Sequence, residues 1–239
     1  MEGATEARLV RETTAGLSWG EQLREVSVFL LLIAPSMVFS FFAIRQGSLT
    51  FEITAWATIL RDIGLVALIA FFLWRNGEAW SRAGWNVRGG WKEVLVGAPM
   101  FGVLSITAGL LDQLLRAGGL SGPSTPLPKV LEAKGAWEYV LATMLVAIVA
   151  VAEESVFRGY LILRLSSITG STGLAVVLSS VIFSLGHGYE GTAGVLTVGF
   201  MGLVFALVYV WRKSLVAPML MHFFQDFVVI VLLPVLNHK

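Results

Sequence analysis

Ala152-Glu153-Glu154-Ser155-Val156-Phe157-Arg158 puts two carboxylates and a guanidinium inside a segment that is otherwise apolar. A charge at membrane depth costs about 2.5–3.5 kcal/mol on insertion scales, so such groups face a protein interior and mark function. Glu154 and Arg158 stand four apart on one helical face, with the acid N-terminal to the base, the favourable order for a pair. Glu153 is offset by one position, about 100° around a helix of 3.6 residues per turn. Arg158 can therefore neutralise one carboxylate and leave the other free to exchange protons in a desolvated site. The plainer alternative is that all three charges only stabilise helix packing, but a second carboxylate with no local partner weighs against it.

Two further patterns follow along the chain. In Phe183-Ser184-Leu185-Gly186-His187 the ring and the imidazole share a face by their i, i+4 spacing, and Gly186 and Gly188 permit close backbone approach or an ended helix. His222-Phe223-Phe224-Gln225-Asp226 sets an imidazole and a carboxylate on one face of the last apolar segment. A lone histidine in an apolar helix is more often a structural donor than a catalytic group, and the His222 and Asp226 pair could be a plain intrahelical hydrogen bond. The third histidine, His238, is terminal and expected to be solvated. Counting 1.5 Å per residue from the expected helix ends puts Glu153, His222 and His187 at roughly 18, 12 and 22 Å depth. All three can meet near mid-bilayer. A water held between a carboxylate and an imidazole there could be deprotonated and directed at a carbonyl, with the remaining polar groups stabilising the oxyanion.

The elements that must position these groups are membrane helices. Of 239 residues, 56% are hydrophobic and 14% charged, and the mean hydropathy is +0.78, outside the balance of a soluble domain. The expected fold is an all-α polytopic bundle of about seven transmembrane helices, within a range of six to eight. A net charge of +1 with scattered basic residues gives no footprint for nucleic acid. The absence of cysteine excludes disulfides, thiol nucleophiles and cysteine metal sites. Spans of about 20 apolar residues are predicted over 26–44, 53–74, 93–111, 137–165, 172–188, 193–211 and 214–234. Ser18-Trp19-Gly20-Glu21 has the spacing of a capping box, which starts the first helix near Trp19. Pro35 is expected to kink it. The adjacent charges Arg61-Asp62 suggest an interface or the start of a shorter span, and redividing that region or using the N-terminus would give an eighth.

The chain divides into a cytoplasmic amphipathic segment 1–25, N-terminal spans 26–116, a Gly/Pro-rich loop 117–135 and a motif-bearing core 136–239. Pro128-Lys129-Val130-Leu131-Glu132 could open a short surface helix. The first 25 residues, with Glu2, Glu6, Arg8, Arg11 and Glu12, do not resemble a cleavable signal, so the first span is expected to be retained. With the N-terminus in the cytoplasm, ten basic residues fall inside (Arg8, Arg11, Arg24, Arg75, Arg82, Arg88, Lys92, Arg164, Arg212, Lys213) and five outside (Arg45, Arg116, Lys129, Lys134, Lys239), as the positive-inside rule asks. Trp74, Trp80, Trp85 and Trp91 crowd one inside connection as interfacial anchors.

Glu153-Glu154-x-x-x-Arg158, Phe183-x-x-x-His187 and His222-x-x-x-Asp226, in this order on successive apolar segments, resemble the CPBP family of intramembrane proteases, which includes the CAAX prenyl endopeptidases and many prokaryotic relatives. Each motif alone is weak, and the three in order are specific; they cover about 137–234. The resemblance implies peptide-bond hydrolysis in a water-accessible cavity of a helical bundle. It suggests Glu153 as general base with His187, and His222 with Asp226 as the oxyanion-side or substrate-orienting pair. By the same comparison Arg158 holds the acidic pair and Phe183 supports the site. The bilayer and a membrane-associated peptide or protein are the implied partners, the substrate being a CAAX-type or a prokaryotic peptide.

Position 226 is asparagine in the better-understood CAAX members and aspartate here. Asparagine can donate to an oxyanion, whereas aspartate does so only when protonated. Asp226 could instead orient His222, or join Glu153, His187 and His222 around a divalent metal such as zinc. A metal-free glutamate mechanism is favoured because Glu153 and His187 suffice to activate water. The competing functional classes are a proton- or ion-coupled transporter using the same groups as a relay, for which no inverted repeat is visible, and a catalytically silent membrane scaffold on the same fold.

Overall fold

The structure is a computed structural model that describes residues 16–40, 50–86, 89–123 and 129–237. The acidic and basic positions before Gly16, with Arg45, Arg88, His238 and Lys239, lie outside the described residues, as do Ser124–Pro128 of the Gly/Pro-rich loop. Among the described residues seven helices follow one another: α1 (Trp19–Ser40), α2 (Phe51–Arg75), α3 (Trp91–Ala117), α4 (Ala136–Thr169), α5 (Thr172–Leu185), α6 (Gly191–Arg212) and α7 (Val216–Leu236). There is no strand among the described residues.

Local chemistry sets the helix starts. Ser18 and Glu21 form the capping box: the Ser18 amide donates to the Glu21 carboxylate at 2.9 Å, and the Glu21 amide donates to the Ser18 hydroxyl at 3.3 Å. Thr50 and Ser171 cap α2 and α5 by accepting from the amides of Ile53 and Leu174. The short segment predicted after Pro128 is a single 3-10 turn, Lys129–Leu131.

The bundle is apolar outside and charged inside, the distribution required of a protein whose solvent is lipid. α3 exposes Leu95, Ile106 and Leu114 while burying Glu93, and α2 exposes Ile53, Leu60 and Phe71 while burying Asp62. Five helices, α2, α3, α4, α6 and α7, are long and apolar enough to cross a bilayer. α5 is shorter than its predicted span, ending at Leu185 after 14 residues. α2 runs unbroken from Phe51 to Arg75 through Arg61-Asp62, so no shorter span starts there. Trp74, Trp80 and Trp91 are exposed as anchors should be, whereas Trp85 turns inward against the edge of Trp80 at 6.1 Å.

α4 is the central element. α2, α5 and α7 pack along it, α1 packs on its C-terminal end, and α3 closes the far side against α6 and α7. The loop after α3 is therefore no break in the packing. At the C-terminal end of α4, Arg164 donates to Glu25 of α1 at 3.0 Å and with two nitrogens to Glu78 beyond α2. Tyr160 and Asn76 complete Glu25 at 2.7 Å each. Gly159 lets this part of α4 touch the turn Trp80–Ala83: a Cβ there would stand 2.5 Å from the Ala83 carbonyl.

Candidate active site

α4 is not a plain α-helix where its motif lies. From Glu154 to Leu161 it is π-helical, and α7 turns π-helical at Phe227–Leu232, just after Asp226. Uniform α-periodicity misses this, because a π turn adds a residue without changing residue types, and such turns cluster at functional sites. Ser179 of α5 donates to the Phe157 carbonyl at 2.6 Å, bracing the widened stretch. The Glu154 and Arg158 pair survives, at 2.9 Å and fully buried.

The two glutamates part company as their faces predict. Glu154 is sealed, with one oxygen accepting from both Arg158 at 2.9 Å and Nδ1 of His222 at 2.8 Å. Its other oxygen is buried without a partner. Glu153 keeps 19% of its side chain exposed and stands 3.9 Å from Nε2 of His222. That gap is too long for a direct hydrogen bond and short enough for one water to touch both groups.

His222 is oriented from three sides. Its Nδ1 proton goes to Glu154, which fixes the tautomer and turns Nε2 toward Glu153 and toward Asp226, 3.4 Å away. The imidazole stacks on Phe205 of α6 at 5.4 Å and meets the edge of Phe183 at 5.9 Å. Arg158 lies over the Phe183 and Phe205 rings, at 4.2 and 5.2 Å, and donates to the Gly202 carbonyl at 3.1 Å. Gly202 is required by this approach, since a Cβ would stand 2.9 Å from Phe183 and 3.1 Å from Arg158.

His187 is the predicted site residue that this cluster does not contact directly. α5 ends before it, its Nδ1 lies 3.3 Å from the Phe183 carbonyl, and its ring packs on Phe183 at 5.1 Å and Tyr189 at 5.9 Å. It reaches His222 only through the Phe183 ring. The following turn, Gly188–Glu190, brings in groups that sequence reasoning overlooked: Tyr189 lies within electrostatic reach of Asp226 and Glu153, and Glu190 within reach of His187 and Asp226. No spacing rule signalled them, because they belong to a turn and not to a helical face.

The second oversight is on α2. Asp62 is 1% exposed, and the Arg61 guanidinium that binds it stands 4.0 Å from Glu153. Glu153 therefore has a cation nearby, supplied from another helix. The signal was present as two charges in mid-span. A metal centre of Glu153, His187, His222 and Asp226 would need these donors to converge on one point. Among the described residues no group of three His, Asp or Glu side chains is placed to hold a metal ion.

No curated protein and no solved structure matches the chain. Residues 135–228 match the family described as type II CAAX prenyl endopeptidase Rce1-like. That stretch holds every motif residue from Glu153 to Asp226, and over it the chain is similar to the Rce1-like family, in keeping with the resemblance of its three motifs.

Proposed function

We propose that the protein is an intramembrane endopeptidase that hydrolyses a peptide bond of a membrane-associated peptide or protein. The observation that carries this reading is the division between the two glutamates: Glu154 is spent on Arg158 and His222, while Glu153 stays open, one water's breadth from Nε2 of His222. Water between Glu153 and His222 loses a proton to Glu153 as its oxygen attacks the scissile carbonyl carbon. Glu153 then passes that proton to the departing amine nitrogen as the C–N bond breaks. His222, locked by Glu154 and stacked on Phe205, orients the water. Asp226 stands 3.4 Å from Nε2 of His222 on the other side and, when protonated, donates to the oxyanion. His187, with Tyr189, borders the space above Phe183 and contacts substrate.

A bilayer-held peptide, either a prenylated CAAX terminus or an unprenylated prokaryotic peptide, fits a site so deep among apolar helices. The N-terminus faces the cytoplasm on the count of basic residues. In a chain without native cysteine, single cysteines at Ser81 and Ser124 should label from opposite sides, Ser81 from the cytoplasm; labelling of both from one side would refute the span count between them, and Ser81 labelling from outside would refute the orientation. The activity test is purified protein in detergent against quenched fluorescent peptides ending in a CAAX sequence, farnesylated and not, beside a Glu153→Gln control. Cleavage by the wild type alone supports the reading. Equal signals from the two proteins, with proton-coupled uptake in vesicles, would replace it with a transporter, and no activity of either kind would leave a silent scaffold.

A further inference from the structure

We propose that Arg61, anchored by Asp62, is a positioning residue for Glu153, supplied by α2 from outside the matched segment 135–228. Neighbouring residues on a helix point about 100° apart and do not face each other. The Arg61 side chain nevertheless curls back, so that Nε and Nη2 both lie 2.8 Å from one oxygen of Asp62. The Arg61 side chain stays 41% exposed, yet the curl leaves Nη2 4.0 Å from Oε1 of Glu153, while Oε2 of Glu153 faces His222 at 3.9 Å. The two carboxylate oxygens thus face different groups. The cation takes one side, and the side turned to the imidazole is left for water.

A purely structural pair does not account for this placement. Two charges in mid-span are expensive, and apolar residues at 61 and 62 would pack α2 on α4 without them. Asp62 is also incompletely used as a partner: its second oxygen is buried and unbonded, beside an apolar cleft of about 360 Å³ between Ile63, Val66, Ile148 and Val151. The pair is explained once Glu153 needs a fixed cation. The other cation near Glu153, Arg158, is already engaged with Glu154, and the His222 imidazole with Glu154 and Asp226.

The catalytic arm of this inference rests on the protease reading, and the test separates the two. Arg61→Ala, Arg61→Lys and Asp62→Asn are assayed with the quenched CAAX peptides, farnesylated and not. Arg61→Ala should lower kcat by about tenfold to a hundredfold with KM within about twofold. Arg61→Lys should recover part of that loss, and Asp62→Asn should fall between. A raised KM with kcat intact would make Arg61 a substrate-binding group and overturn positioning, as would a lysine variant no better than alanine. A thermal double-mutant cycle over Arg61→Ala and Glu153→Gln needs no turnover, and the combined shift in Tm should differ from the sum of the single shifts. Additive shifts would overturn the contact. If the wild type cleaves neither peptide, the protease reading falls and the cycle alone decides whether Arg61 and Glu153 are coupled.

Discussion

Two charged clusters are buried along α4, about ten residues and hence about 15 Å apart. At Arg164 both oxygens of Glu25 and both of Glu78 accept hydrogen bonds, from Asn76, Tyr160, Arg82 and Arg164 itself. At Glu153 the neighbours stand off at 3.9 and 4.0 Å, Asp226 meets His222 at 3.4 Å, and one oxygen each of Glu154 and Asp62 has no bond at all. A saturated polar network holds helices in place and leaves nothing for a substrate. A gapped one is unfavourable for the fold and leaves room for water to react. Burial alone does not separate structure from chemistry here; the completeness of the partnering does.

Substitutions can break that contrast. Glu153→Gln should abolish turnover, about 10²–10⁴-fold for a lost general base, with the fold intact and only a small shift in Tm, whereas Arg164→Ala should do the reverse. Stranding Glu25 and Glu78 should destabilise the protein by about 3–5 kcal/mol, read by thermal unfolding in detergent, with kcat of the folded fraction preserved. A rate loss in Arg164→Ala at full stability would show that the saturated cluster also serves chemistry. Glu154→Ala should straddle the two classes: it unpairs Arg158, at about 3 kcal/mol, and frees Nδ1 of His222, so both Tm and kcat should fall.

Asp226→Asn sharpens the comparison inside the gapped cluster. It adds donors and removes charge, so on the hydrogen-bonding reading it should retain or raise activity, and dialysis against a strong chelator should leave the wild type active. Chelator-sensitive turnover, restored by zinc and lost in the Asn variant, would recast Glu153, His187, His222 and Asp226 as metal ligands. Gly202→Ala should have the smallest effect, about 1–3 kcal/mol from pressing a methyl on Phe183 and Arg158. An unchanged Tm there would mean that α5 and α6 can part more easily than their contact suggests.

The sequence made the seven helices legible because lipid imposes length and composition on each span, and it separated Glu153 from Glu154 because one residue turns a helix by a fixed angle. It was silent where the determinant is three-dimensional. The i, i+4 rule paired Phe183 with His187 but could not say that α5 stops between them. Arg61-Asp62 were visible as charges, yet their nearness to Glu153 depends on how α2 lies against α4. Glu25 and Arg164 are separated by 139 positions, beyond any local pattern. The π turns escaped for a similar reason, since they are set by what packs around α4 and α7.

The shortness of α5 bears on the membrane itself. Fourteen residues at 1.5 Å each reach about 21 Å, against a hydrocarbon layer of about 30 Å. Were the helix to start at one interface, the turn at His187–Glu190 would stop inside the hydrocarbon, where irregular backbone persists only against protein or water. A hydrophobic mismatch of this size would draw lipid headgroups inward on that flank. Such thinning beside the site would shorten the path of water to Glu153.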